Sequence, residues 1–276
     1  MQIMQNIAAG LTALMLTAQA VSAQSSAFVD RYYDVFDMET VLDILKEEGV
    51  EAGKTMTEDG SISLSPAWTA RLSGIYGQDK AWEAFKRGMA SVSDIEASEE
   101  ALAFFETDLG KRIVAIELEA RRALSGEEAE KAASAKADAL RDDAPELYLM
   151  YLEFIKVNDL VDSNVAGALN SNLAFYRGMA TNESYAEGLT EGFILTTVWE
   201  QEPEIRAEME EWTMSFSTLA YGDLTPAEMQ SYIDISKTDA GQRLNAVLFA
   251  GFDEMFEEQS FELGRASAEF MLGEDT

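Results

Sequence analysis

The sequence contains no cysteine and no histidine, and only four prolines. Without the first two, neither a Ser-His-Asp nor a Cys-His centre can be built, and the usual ligands of zinc and haem are missing. Nucleophilic catalysis is left with Ser-Lys pairs, threonine or carboxylates. The missing cysteine also excludes disulfides and a cysteine-linked lipid tether. Basic residues are scarce as well: 20 Lys and Arg stand against 51 Asp and Glu, a formal charge of −31. Such a surface favours solubility and repels nucleic acid and anionic lipid, while leaving cationic partners open. No segment alternates apolar and polar residues with β-branched enrichment, and no glycine-rich phosphate loop follows a strand.

What is present begins with an uncharged N-terminus. Residues 1–23 carry no ionisable side chain, and Ile7 to Ala18 is an apolar run too short to span a bilayer as a helix. Val21 and Ala23 supply the short side chains that signal peptidase requires. A signal peptide over 1–23 is therefore expected, cleaved between Ala23 and Gln24. The product would be a periplasmic or secreted protein with no transmembrane anchor.

Elsewhere apolar residues recur at spacings of three and four. The clearest stripe runs from Leu147 through Tyr151, Phe154, Val161, Val165 and Leu169 to Tyr176. That period predicts helix, with a break near Asn158-Asp159 because the stripe exceeds an ordinary helix length. Ser125-Gly-Glu-Glu128 and Thr225-Pro-Ala-Glu228 read as capping boxes, and Ser65-Pro66 and Asp143-Ala-Pro145-Glu146 as further helix starts. About ten helices and no β-sheet are expected. Residues 51–65 form the main irregular connection and 181–190 a shorter one.

An internal echo suggests organisation. Thr107-Asp108-Leu-Gly110-Lys-Arg112-Ile113 recurs as Thr238-Asp239-Ala-Gly241-Gln-Arg243-Leu244. Leu102 with Ile233, Ile116 with Val247 and Phe85 with Phe216 fall at the same offset. The expectation is a single all-α domain over 24–276, a multi-helix bundle of two tandemly duplicated halves at 28–142 and 143–276. In each copy the threonine would cap a new helix, the aspartate would sit in its first turn, and the glycine would let another helix approach. Arg112 and Arg243 would reach acidic groups on neighbouring helices. An anion site made from two such corners is the functional alternative.

Three constellations bear on chemistry. Asp162-Ser-Asn164-Val-Ala-Gly167 begins like an EF-hand loop, but Ala166 cannot ligate and Leu173 stands where the bidentate glutamate belongs. Glu200, Glu204, Glu208 and Glu211 line up at helical spacing. Two carboxylates can hydrolyse a glycosidic bond, yet a row on one helix reads first as a solvated face. Phe104, Phe105, Phe249, Phe252, Phe256, Trp199 and Trp212 could pack a core or line a pocket for a hydrophobic ligand.

Ser163 to Gly178, Glu200 to Arg206 and Ser236 to Asn245 resemble exported proteins of marine and related alphaproteobacteria that carry the domain of unknown function two-zero-five-nine. Ala103-Phe-Phe-Glu-Thr-Asp-Leu-Gly-Lys-Arg-Ile-Val114 is similar to that domain's phenylalanine-rich, glycine-containing hallmark. The resemblance covers most of residues 24–276. It implies a helical exported protein with no assigned activity, catalytic residue or cofactor. The expected role is a non-enzymatic binding or interaction protein of the periplasm or cell envelope. Its partner would be an envelope protein or a hydrophobic small ligand, not nucleic acid. The alternative is a carboxylate-dependent envelope hydrolase acting on cell-wall glycan.

Overall fold

A computed structural model describes residues 27–58, 62–124 and 126–273. The expected signal peptide and its cleavage point lie outside the described residues. Within them every regular element is helical and no strand occurs. The helices are α1 (residues 27–35), α2 (Met38–Thr55), α3 (Pro66–Ile75), α4 (Gln78–Ser91), α5 (Glu99–Phe105), α6 (Asp108–Ala123) and α7 (Glu127–Asp143). They continue with α8 (Pro145–Val157), α9 (Leu160–Met179), α10 (Glu183–Ala186), α11 (Glu191–Trp199), α12 (Glu202–Ala220), α13 (Pro226–Ser236) and α14 (Asp239–Met271). A 3₁₀ turn, Ile95–Ser98, leads into α5. No described helix is long and apolar enough to cross a membrane.

The start signals act largely as written. Thr225 accepts the Glu228 amide while the Glu228 carboxylate accepts the Thr225 amide, a complete capping box with Pro226 behind the cap. Ser65 caps α3 by accepting the Trp68 amide at 3.1 Å. The long stripe is broken at the expected place: α8 stops at Val157 and Asp159 takes φ 51° ahead of α9. Aspartate tolerates this left-handed conformation better than most residues. Helix α7 begins at Glu127 behind Gly126, whose φ of 101° suits a residue without a side chain; Ser125, which opens the other expected capping box, lies outside the described residues. The helices are also more numerous than expected among the described residues, and two reach into the expected connections: α10 lies within 181–190, and α2 runs to Thr55.

Helix α14 is the spine. Its 33 residues span about 50 Å at 1.5 Å per residue, and it packs most extensively against α9 and α4. Both crossings are made close by glycine. A Cβ on Gly88 of α4 would sit 1.9 Å from the Ala250 carbonyl oxygen. A Cβ on Gly264 would sit 1.9 Å from that of Phe175, and one on Gly178 would sit 2.1 Å from that of Phe261. The main core gathers Tyr32, Phe85, Met89, Leu102, Ile113, Tyr151, Ile233 and Val247, with smaller clusters under α3 and between α9 and α11.

The two Thr-Asp-x-Gly segments are helix corners. Thr107 donates to the Phe104 carbonyl at 2.7 Å and accepts the Gly110 amide at 3.1 Å; Thr238 does the same with Ile235 and Gly241 at 2.7 and 3.0 Å. Asp108 and Asp239 occupy the first turns. The glycines admit the last turn of the preceding helix, not a distant one: a Cβ would meet Phe104 O at 2.3 Å and Ile235 O at 2.1 Å. Arg112 reaches Glu228 on α13 at 2.6 Å. Arg243 is half-buried and forms no ion pair among the described residues.

Candidate functional site

Helix α6 buries Ile113, Val114 and Ala120. Glu117 falls on that same face, one turn after Ile113, so the periodicity that builds the core carries a carboxyl into the interior. Two tyrosines receive it. Tyr221, directly after the last residue of α12, donates its hydroxyl to Glu117 Oε1 at 2.7 Å, and Tyr232 of α13 donates to the same oxygen at 3.0 Å. Both tyrosines are nearly inaccessible and lie edge to face, 5.9 Å apart, beside Phe154. Burial, followed by the nearby Glu117 charge, holds both hydroxyls well above their usual range, so they stay protonated as donors.

Burial also pushes the Glu117 carboxyl up to about 7, against the smaller lowering effect of the two hydroxyls. Desolvation outweighs hydrogen bonding here, as expected for an acid surrounded by protein. The side chain nevertheless keeps some accessible surface. That surface opens onto a groove, since Glu117 lines two neighbouring hollows of about 490 and 200 Å³.

The larger hollow is an open groove between α2, α6, α9, α12 and α14. Its walls are mostly apolar. Val41 and Leu45 come from α2, Trp212 and Phe216 from α12, and Phe249, Phe252 and Phe256 from α14. All seven stay only partly buried although the groove lies among the packed helices. At one edge Arg121 forms a two-pronged pair with Glu48, 2.9 and 2.6 Å, and its guanidinium lies 5.6 Å from the centre of the Trp212 ring. These contacts tie α6 to α2 and to α12. Exposed pairs of this kind add little stability, so their effect is on shape.

Polar groups inside the groove are few. Asp253 lies over the bare backbone of α9, where a Cβ on Gly167 would be 2.8 Å from its Oδ1. Burial and the neighbouring Glu257 raise its pKa. Asn164 donates its amide to the Leu160 carbonyl at 2.6 Å, and Asn245 donates to the Asn158 carbonyl at 2.8 Å. These bonds fix the amide orientations and leave both side-chain carbonyls as acceptors.

The structure divides the candidates drawn from sequence. Trp212, Phe249, Phe252 and Phe256 do line one groove, whereas Phe104 and Phe105 pack in the core and Trp199 stands 69% exposed on α11. Glu200, Glu204, Glu208 and Glu211 are all exposed. The EF-hand-like segment lies wholly within α9, where its residues cannot wrap an ion. Among the described residues no group of three or more acidic side chains gathers as a metal site. The corner residues from Thr107 to Arg112 and from Thr238 to Arg243 serve the fold and do not converge on the groove. A second hollow of about 510 Å³, between α3, α4 and α14, is lined by Arg71, Lys80, Glu258 and Glu262. Three of these charges are engaged by residues outside the lining, in Arg71–Glu269, Arg87–Glu258 and Arg265–Glu262.

Glu117, Tyr221, Tyr232 and Asp253 were not singled out from sequence. One signal for Glu117 was present, an acid at a core position of the series 113, 117, 120, 124. The class defined by fold and site is an all-helical protein with an open, aromatic-lined groove and a largely desolvated carboxyl in its lining. No family model matches the sequence, and neither a curated protein nor a solved structure is similar to it.

Proposed function

We propose that the protein is a non-enzymatic binding protein that holds a hydrophobic small molecule in the groove between α2, α6, α9, α12 and α14. The observation that carries this reading is an open, apolar-walled hollow of about 490 Å³ among the packed helices, where the other large hollow is lined by charged side chains. Lining atoms there forgo contacts that a filled interior would supply, and ligand sites of 300–1,000 Å³ have this make-up of apolar walls with a few placed polar groups. Residence in the periplasm, following export, is part of the proposal and rests on the N-terminal sequence. So is kinship with the exported family of the domain of unknown function two-zero-five-nine. Duplication is a further element. The matched hydrogen bonds at Thr107 and Thr238, and the matched burial of Leu102 with Ile233 and Ile113 with Leu244, support two copies of a helical unit.

Native mass spectrometry of the protein purified gently from its own source tests the binding role. A co-purifying lipid-like mass, one per chain, is the expected result. A chain that repeatedly carries none, even when isolated without detergent, counts against a resident hydrophobic ligand.

The competing reading is a carboxylate-dependent hydrolase of cell-wall glycan. It draws support from Glu117 and Asp253, two carboxyls in one groove with raised proton affinity. The apolar walls argue against it, because a sugar chain presents rows of hydroxyls that need polar partners. Clearing of purified peptidoglycan that disappears in Glu117→Gln would favour the hydrolase.

A further inference from the structure

We propose that the groove selects an amphiphile with a cationic, hydrogen-bond-donating head, an alkylammonium type of ligand, whose head meets Glu117 and whose tail lies along the phenylalanines of α14. This rests on the binding role proposed above and names the ligand class.

The case begins with which polar atoms remain unspent. Both tyrosine hydroxyls go to Glu117 Oε1, so Oε2 of the same carboxyl is left without a protein donor among the described residues while Glu117 lines the groove. Asp253 adds a second carboxylate, and the carbonyl oxygens of Asn164 and Asn245 add two neutral acceptors. The cation lining the groove, Arg121, is already neutralised by the two-pronged contact with Glu48. The cavity thus offers acceptors and negative charge, with no free cation to match an anionic head. A fatty carboxylate would bring a third negative group into a poorly solvated space, which is costly without a partner. An alcohol would satisfy one acceptor and leave the charge of Glu117 uncompensated. An ammonium donates up to three hydrogen bonds and supplies the missing charge.

The rest of the molecule points the same way. A formal charge of −31 raises the local concentration of cations and lowers that of anions near any opening. The tail requirement is met by Phe249, Phe252 and Phe256, at three- and four-residue spacing on α14, so their rings form one row on a single helix face. The Trp212 ring, with the Arg121 guanidinium over it, adds a wall from α12.

The test is calorimetric titration of the full chain at pH 8 with dodecylamine, dodecanol and dodecanoate, each below its aggregation concentration. Dodecylamine should bind one per chain, about tenfold or more tighter than dodecanol, with dodecanoate weakest. Glu117→Gln should weaken dodecylamine by about tenfold and leave dodecanol unchanged or improved; retained alcohol binding shows that the variant's groove is intact. Asp253→Asn should weaken the amine less. Equal affinity for amine and alcohol, or an amine affinity indifferent to Glu117→Gln, overturns the head-group assignment while the groove survives as an apolar site. Amine binding that persists in Ala168→Trp, which fills the groove, marks adhesion to the acidic surface and also overturns it. If none of the three probes binds, the binding role itself falls.

Discussion

Gly264→Ala is expected to destabilise the protein by about 3 kcal/mol or more, the upper range for inserting a methyl group into a packed interior. The new Cβ would lie 1.9 Å from the Phe175 carbonyl oxygen and 2.8 Å from its carbonyl carbon. Those are backbone atoms of α9, so no side chain can swing aside, and the two helices must separate along their main contact. Separation would also loosen Gly178 against Phe261, because the same crossing brings that pair together. The groove should suffer with it, since α9 and α14 form two of its walls. Gly74→Ala is the control. Gly74 lies in α3 with nothing within 4 Å of a Cβ, and alanine there should stabilise by about 0.5–1 kcal/mol through helix propensity. Urea unfolding of both variants measures the difference. A Gly264→Ala midpoint within error of the parent would mean that the close crossing is not as described.

Glu117→Gln is expected to stabilise the protein at pH 8 by up to about 3 kcal/mol, with the gain vanishing towards pH 4.5. The folded-state pKa of Glu117 lies near 7 and its ordinary value is 4.5. The folded chain therefore binds a proton that the unfolded chain has released between these two values. Stability is greatest below 4.5, falls as pH rises through the window, and is fully reduced above about 7. Glutamine cannot ionise, so this slope should disappear. Its side-chain oxygen can still accept from Tyr221 and Tyr232, so the hydroxyls are not orphaned. The opposite slope comes from Glu228, held near 2 by the Thr225 backbone amide and hydroxyl and then by Arg112. Its contribution is present above 4.5 and lost as pH falls towards 2. Midpoints measured in urea from pH 5 to pH 8 separate the two. A variant that is less stable than the parent at pH 8, or that keeps the parent's slope between 5 and 7, would contradict the burial of an ionisable Glu117.

Much of the fold was legible in the sequence because its signals are local. The stripe from Leu147 to Tyr176, the Thr225-Pro226-Glu228 box and the two Thr-Asp-x-Gly corners each depend on residues within a few positions. Helical period and capping chemistry operate at that range. The row from Glu200 to Glu211 was rightly read first as a solvated face.

The site was legible only in fragments. Trp212, Phe249, Phe252 and Phe256 stood out as aromatic residues at helical spacing, but that spacing serves a core and a groove equally well. What separates the two is whether α2 and α12 close over the row, which is a matter of tertiary packing. Glu117 offered its position in the series 113, 117, 120, 124. Its partners lie 104 and 115 residues further along, and no local pattern connects them. A buried acid becomes recognisable only when its hydrogen-bond donors are found.

The claim that the groove is a ligand site is tested most directly by filling it. Ala168 lines the groove from α9, and the indole of Ala168→Trp would intrude on that space. Fluorescence titration with an environment-sensitive apolar dye such as Nile red should show saturable, one-to-one binding to the parent. It should show no saturable binding to the variant, whose helical circular dichroism should match the parent's. Equal binding to both proteins, or none to the parent, would contradict the account.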